Sequence, residues 1–191
     1  MVHEQKAIKQ NKWLDLKEIK QNIGLNRPDM ATASVADVGL GDPQARLRVY
    51  LANRPSLEPF AYPGDVMPLA DGDIAQINAH EGNHWRKIFN VFAKFLHELK
   101  FNGTEEFSRW QDYRDARMLH PGSGVALCFG GPSTMTSKPS HQVLLMGKQF
   151  AEECGFFKTD GAKWLDSRFA SNRSGSVVTP YFDYRQLYLS D

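Results

Sequence analysis

Short apolar runs bounded by glycine or proline constrain the fold of this chain more than any other feature. Val125–Phe129, Val143–Met146 and Val177–Thr179 are three such runs, and in Arg46–Ala52 the apolar residues alternate with other types. Helical stretches separate several of these runs, and this alternation is typical of strands that lie between helices. The sequence therefore predicts an α/β fold, a three-layer domain with a small, mostly parallel or mixed sheet flanked by helices.

The direction of two strands stays open at this point. Only Gly130–Gln142 joins the run at Val125–Phe129 to the run at Val143–Met146. This connection is close to the minimum length for a crossover between parallel strands. The two strands are therefore either parallel or antiparallel.

The most regular helical pattern is Asn83–Lys100, where apolar residues recur at the spacing of one helix face. Thr104 is predicted to cap a second helix that carries Phe107, Trp110 and Tyr113. A third helix is predicted for Lys148–Cys154, directly after a strand. We expect the aromatic residues of the first two helices to form the core.

The chain divides into two parts by pattern. Residues 1–45 are expected to form an N-terminal helical arm, with a helix from Asn11 to Gly24, and then a surface linker over residues 26–45. Residues 46–191 are expected to form the single α/β domain. A long loop rich in aromatic residues and proline, including Phe60–Val66, follows the first predicted strand of this domain, and such loops are often functional.

Charge and composition narrow the partners. A net charge of +1 lacks the basic excess that nucleic-acid binding usually needs, so we expect no nucleic-acid partner. Cys128 and Cys154 lack metal-type spacing and are expected to be reduced. The sequence shows no signal-peptide core and no stretch that is long and apolar enough for a membrane span. These features predict a cytoplasmic protein that does not contact a membrane.

Polar residues at the ends of the predicted strands form the expected ligand site. In open α/β sheets, ligands bind beyond the carboxyl ends of strands, where glycine allows close approach and arginine holds anions. An anionic or heterocyclic small molecule would suit such a rim, whereas no residue can be given a catalytic role. The predicted ligand-binding residues, which include one tyrosine of the long loop, are Asn53, Arg54, Tyr62, Ser133, Thr134, Lys148, Gln149, Tyr181, Asp183 and Arg185.

A metal-site motif offers an alternative. The segment from His80 to His84 reads His-Glu-Gly-Asn-His, which matches the zinc-binding pattern H-E-x-x-H with Glu81 as general base. Gly82 and Asn83 are weak helix formers, so the motif is expected to straddle a helix start. In an antiparallel helix pair, His120 would lie opposite His84 and supply the third ligand. The main prediction remains that the chain needs no cofactor.

One short segment carries a resemblance. Val143–Gly155 resembles a strand–turn–helix segment of uracil-DNA glycosylases. Two other motifs of that family, a Gly-Gln-Asp-Pro-Tyr stretch and a late His-Pro-Ser loop, are missing from this sequence. The resemblance implies a strand followed by a helix in an α/β sheet and carries no activity with it.

Three functional hypotheses follow. The first is a small-ligand-binding protein, an enzyme or not, with its site at the carboxyl ends of the strands. The second is a zinc-dependent hydrolase that uses His80, Glu81, His84 and His120. The third is a structural or interaction protein whose Phe60–Val66 loop contacts a partner or a second copy in a homodimer.

Overall fold

A computed structural model of the chain describes residues 37–133 and 140–187, and the account below concerns these residues. The described part contains eight strands and four α-helices. The strands are β1 (Gly39–Gly41), β2 (Leu47–Leu51), β3 (Val66–Met67), β4 (Val125–Phe129), β5 (Gln142–Met146), β6 (Lys163–Trp164), β7 (Ala170–Ser171) and β8 (Val177–Thr179). The helices are α1 (Asp73–Glu81), α2 (Asn83–Leu99), α3 (Trp110–Ala116) and α4 (Lys148–Glu153). Two 3-10 turns cover Thr104–Glu106 and Phe156–Lys158.

All eight strands join in one mixed sheet, in the order β3-β1-β4-β2-β5-β8-β7-β6. The four central strands, β4, β2, β5 and β8, are parallel to one another, whereas β1 pairs antiparallel with β4 and β7 pairs antiparallel with β8. The expectation of an α/β fold with a mixed sheet is therefore confirmed. The open question about β4 and β5 is also answered, because β2 lies between them and both pair with it in parallel.

Alternate residues along the central strands serve two separate cores. Leu47, Val49 and Leu51 of β2 face the cluster that contains the apolar side of α2. Tyr50 of the same strand faces a second cluster, which contains Ala151 of α4. Because both faces of β4 and β5 are buried, Val125–Phe129 and Val143–Met146 are continuously apolar, as the sequence pattern indicated.

Helix α2 is the main support of the first core. Ten of its side chains are buried, and Trp85, Phe89, Phe92 and Phe95 are among the largest fully buried side chains in the described residues. The helix begins after Gly82 and ends at Lys100, whose backbone is left-handed at φ 54°. The helix predicted for Asn83–Lys100 is thus confirmed to within one residue.

One local prediction was wrong, and one helix was missed. Thr104 does not cap a helix: it begins a 3-10 turn after Gly103, its side chain is fully buried, and α3 starts only at Trp110. Helix α1 was not predicted, because only Ile74 and Ile77 of its nine residues are buried and the apolar stripe is correspondingly weak.

The predicted surface linker also differs from the structure at its end. Residues 39–41 form β1, an internal strand between β3 and β4. A Cβ atom on Gly39 would lie 2.1 Å from the carbonyl oxygen of Leu127, so glycine is required for this close approach. Glycine in a linker and glycine in a crowded strand look alike in sequence.

The expected N-terminal helix at Asn11–Gly24 lies outside the described residues. Among the helices that the structure describes, none has the length and the apolar character required to cross a membrane.

Candidate functional site

The chain leaves the carboxyl ends of the neighbouring strands β2 and β5 toward opposite faces of the sheet. From β2 the chain passes through the short edge strand β3 to α1 and α2, and α2 packs on one face of the sheet. From β5 the chain passes to α4, which packs on the other face. Adjacent parallel strands whose connections leave on opposite faces open a crevice at their carboxyl ends, which is the usual ligand position in open α/β sheets.

Three polar side chains meet at this edge of the sheet. Asn53 follows β2, His84 lies in the first turn of α2, and Tyr181 follows β8. The Asn53 amide nitrogen lies 3.0 Å from His84 Nε2 and 3.1 Å from the Tyr181 hydroxyl, and that hydroxyl lies 3.0 Å from His84 Nε2. We call this closed hydrogen-bonded group the Asn53–His84–Tyr181 cluster. Asn53 and His84 are exposed and Tyr181 is half-buried, so the cluster faces solvent.

The hydrogen-bond partners determine where the protons lie. Burial raises the pKa of Tyr181, the hydrogen bond from Asn53 lowers it less, and the Asp183 charge raises it further. Tyr181 therefore stays a phenol at neutral pH and donates to His84 Nε2, while the Asn53 amide donates to Tyr181. His84 Nε2 is then an acceptor, and the proton of the neutral ring lies on Nδ1. Within the described residues, His84 Nδ1 and the Asn53 side-chain oxygen have no hydrogen-bond partner, so they are the donor and the acceptor that the cluster offers a ligand.

Arg54 lies beside this cluster and is held between two rings. Its guanidinium carbon lies 5.3 Å from the centre of the Tyr62 ring and 5.8 Å from the centre of the Phe129 ring. The Arg54 side chain makes no hydrogen bond or ion pair to any residue in the described ranges. The Phe129 ring also contacts Trp85 edge to face at 6.1 Å, next to His84 in the chain. A cation with free donors thus adjoins the Asn53–His84–Tyr181 cluster.

The segment after β8 runs along the exposed side of α2. Tyr181 contacts His84, the Asp183 carboxylate accepts a hydrogen bond from Lys87 Nζ at 2.7 Å, and the Tyr184 hydroxyl accepts one from the Asn90 amide at 2.8 Å. The ion pair with Lys87, together with the backbone N–H of Arg185, holds the pKa of Asp183 below its ordinary value. These contacts, spaced along successive turns of α2, position the Tyr181 ring at the site.

Other predicted ligand residues lie elsewhere. Lys148 Nζ lies over the Trp164 ring at 5.3 Å, and Gln149 donates to Glu153 along α4, so both side chains follow α4 away from the cluster. Ser133 is exposed after β4, and Arg185 is exposed after the Asp183 turn; neither joins the cluster. Thr134 lies outside the described residues.

The structure does not assemble the zinc motif. Helix α1 ends at Glu81 and α2 begins at Asn83, and Gly82 between them has φ 70° and ψ −148°, so His80 and His84 do not share a helix face. Burial tends to raise the pKa of Glu81, but hydrogen bonds from Ser56, His80 and Leu57 outweigh it and hold the pKa below its ordinary value.

His120 does not complete a site either. Helix α3 is only seven residues long, so the long antiparallel pair on which its predicted position depended is absent. The Nδ1 atom of His120 instead lies 3.9 Å from the Asp71 carboxylate. Within residues 37–133 and 140–187, no group of three or more His, Cys, Asp or Glu side chains is placed to hold a metal ion.

Sequence reasoning named all three members of the cluster but did not group them. Asn53 and Tyr181 were predicted as ligand residues at strand ends, whereas His84 was considered only as a metal ligand. The start of a long amphipathic helix directly after Gly82 was the available signal, since such helix starts lie at the carboxyl edge of a parallel sheet. Lys87, which holds Asp183, was not identified.

Comparison with known proteins supports one assignment. A family model described as a family of unknown function, DUF6942, matches residues 38–190, which include every described strand and helix. No curated protein matches the chain. No solved structure matches it either. The chain therefore belongs to the DUF6942 family, whose function is unknown.

Proposed function

We propose that this chain is a cytoplasmic protein that binds a small ligand at the carboxyl ends of β2, β5 and β8. The single observation that supports this most is the Asn53–His84–Tyr181 cluster, in which three distant parts of the chain bring hydrogen-bonding side chains to one exposed point. The cluster lies at the carboxyl ends of neighbouring strands whose connections leave on opposite faces of the sheet, and this is where α/β proteins usually bind ligands. We also propose that the domain has three layers, with α2 and α4 covering opposite faces of the sheet.

The neighbouring charges favour a ligand with an anionic group. Arg54 is exposed and held between two rings, where a guanidinium keeps its donors free for a carboxylate or phosphate. Helix α2 adds the positive end of its dipole, and neither a capping side chain nor an acidic residue in its first turn offsets it. Asp183 carries the carboxylate nearest to Tyr181 in the sequence, and its charge is already paired with Lys87.

A matched pair of tyrosine substitutions tests the proposal. Thermal unfolding with a panel of nucleobases, nucleotides, sugars, phosphates and carboxylates would find a ligand, since saturation at a hundred times Kd adds about 2.7 kcal/mol and roughly 5–11 °C. Calorimetry would then compare Tyr181→Phe, which removes a hydroxyl of the cluster, with Tyr184→Phe, which removes one that contacts only Asn90 in the described residues.

We expect Tyr181→Phe to weaken binding by on the order of tenfold, the value of one lost hydrogen bond, and Tyr184→Phe to leave it unchanged. Arg54→Ala should weaken the binding of anionic ligands more than the binding of neutral ones. A ligand that binds all four proteins equally would show that the cluster is not the site. A panel without any thermal shift would remove the support for ligand binding altogether.

One observation favours a second function, the interaction role of the Phe60–Val66 loop. Tyr62 is 72% exposed, more than any other large hydrophobic residue described. If this ring is a contact for another copy, sedimentation will show a concentration-dependent mass that Tyr62→Ser abolishes. A constant monomer mass at every concentration would refute self-association through Tyr62.

A further inference from the structure

A groove of about 470 Å³ lies well away from the strand ends. Its walls are the C-terminal half of α2 and, facing it, the end of the loop before α3 together with the first turn of α3. The lining residues are Lys94, His97, Glu98, Ser108, Arg109, Trp110 and Gln111. Lys94 follows His84 by ten residues of one helix, so the groove is about 15 Å from the Asn53–His84–Tyr181 cluster along α2. The volume falls within the range of small-molecule sites.

The buried cation of the groove, Lys94, lies against aromatic rings. Lys94 is only 8% exposed, and its ammonium nitrogen lies 5.0 Å from the Trp110 ring centre and 5.6 Å from the Tyr184 ring centre. Arg114 approaches the same Trp110 ring at 5.6 Å. These cation–ring contacts hold the Lys94 side chain in one position against the groove.

The loop wall carries polar groups with free hydrogen-bonding capacity. The side chains of Ser108, Arg109 and Gln111 make no hydrogen bond or ion pair with any residue that the structure describes. His97 Nε2 lies 3.0 Å from the carbonyl oxygen of Phe107, so Nε2 carries the hydrogen that it donates to this acceptor. Several donors therefore converge on one small volume.

The charge of the lining selects the ligand class. Lys94 and Arg109 are cationic, whereas Glu98 is the acidic side chain among the described lining residues. A planar guanidinium with free donors recognises carboxylate and phosphate groups through paired hydrogen bonds. We propose that this groove is a second ligand site, for a small molecule that bears a carboxylate or phosphate group, and that Arg109 is its main anion contact.

Nuclear magnetic resonance titration of the full chain tests this, with inorganic phosphate, pyrophosphate and citrate as probes. The Trp110 indole N–H signal, assigned by loss in Trp110→Phe, reports on the groove. We expect a saturable shift of this signal with at least one probe, and the probe that binds tightest separates phosphate from carboxylate recognition.

Two substitutions that each remove one positive charge, one inside the groove and one outside it, are compared for their effect on probe binding. Arg109→Gln should weaken binding by on the order of tenfold, because it removes a charge-assisted contact. Arg173→Gln removes the same charge at an exposed position that pairs with Asp160, and should leave binding unchanged. Tyr181→Phe should also leave it unchanged, which separates this site from the one at the strand ends.

Three results would overturn the proposal. If Arg109→Gln and Arg173→Gln weaken probe binding equally, the probes are attracted by the overall charge of the protein and not by the groove. A Trp110 signal that does not move with any probe would mean that the groove is not a site for these anions. Saturation only far above metabolite concentrations would mean an adventitious ion only.

Discussion

Lowering the pH from 7 to 5 should destabilise this protein through one histidine, His141, on the sheet face opposite α2. Its Nε2 lies 3.0 Å from the hydroxyl of Tyr50, which donates at 2.8 Å to Asp37, and Asp37 pairs with Arg48. Burial and the Arg48 charge lower the pKa of His141 to about 4 from an ordinary value of 6.5, although Asp37 opposes them. The folded protein therefore keeps this ring neutral.

The sign and size of the effect follow from linkage. Because the folded pKa is the lower one, the unfolded chain binds more protons between pH 6.5 and 4, and stability falls as the pH falls through this window. Above pH 6.5 the contribution of His141 is fully present. With these two pKa values, the loss between pH 7 and pH 5 is about 1.8 kcal/mol, and with a folded pKa one unit higher it is about 1.5 kcal/mol.

Urea unfolding at a series of pH values would measure this loss. His141→Gln cannot titrate, so the difference in unfolding free energy between the natural protein and this variant should shrink by about 1.5–2 kcal/mol between pH 7 and pH 5. His80→Gln is the matched control, because the His80 side chain is 51% exposed and contacts only Glu81 in the described residues. If the pH profiles of the natural protein and His141→Gln run parallel, His141 is not held neutral by burial and the reasoning fails.

Three further substitutions test the fold. Gly39→Ala should destabilise by more than about 3 kcal/mol in urea unfolding, because its Cβ would meet the Leu127 carbonyl oxygen; an unchanged midpoint would show that β1 does not pack as described. Thr104→Val should raise stability by up to about 1 kcal/mol, because the buried Thr104 hydroxyl has no hydrogen-bond partner among the described residues; a loss would reveal a partner. Gly147→Ala should cost about 1–3 kcal/mol, since φ 100° at the end of β5 suits glycine alone; a neutral result would mean that the β5–α4 turn can relax.

Local patterns predicted the buried elements well. The predicted runs at Val125–Phe129 and Val177–Thr179 coincide with β4 and β8, and the predicted helix at Asn83–Lys100 matches α2. Such segments are readable because burial on one or both faces imposes a strict spacing of apolar residues. Elements with little burial, such as α1, left no comparable pattern and were missed.

The candidate site shows where sequence stops being sufficient. Asn53 and Tyr181 were predicted as ligand residues because each follows an apparent strand, which is a local property. Their hydrogen bonds to each other and to His84 join positions 53, 84 and 181. Nothing along the chain encodes that proximity, because it depends on which strands are neighbours in the sheet.

The sequence by itself determined the α/β class, the central strands, the long amphipathic helix and the kinds of residue at the strand ends, since these depend on residue type and spacing. Only the tertiary structure decided that β2 lies between β4 and β5 and that β1 is internal. Strand order and the direction of a side chain are set by contacts between residues far apart in the chain. Those contacts, and not any local preference, bring His84 to Asn53 and Tyr181 and separate it from His80.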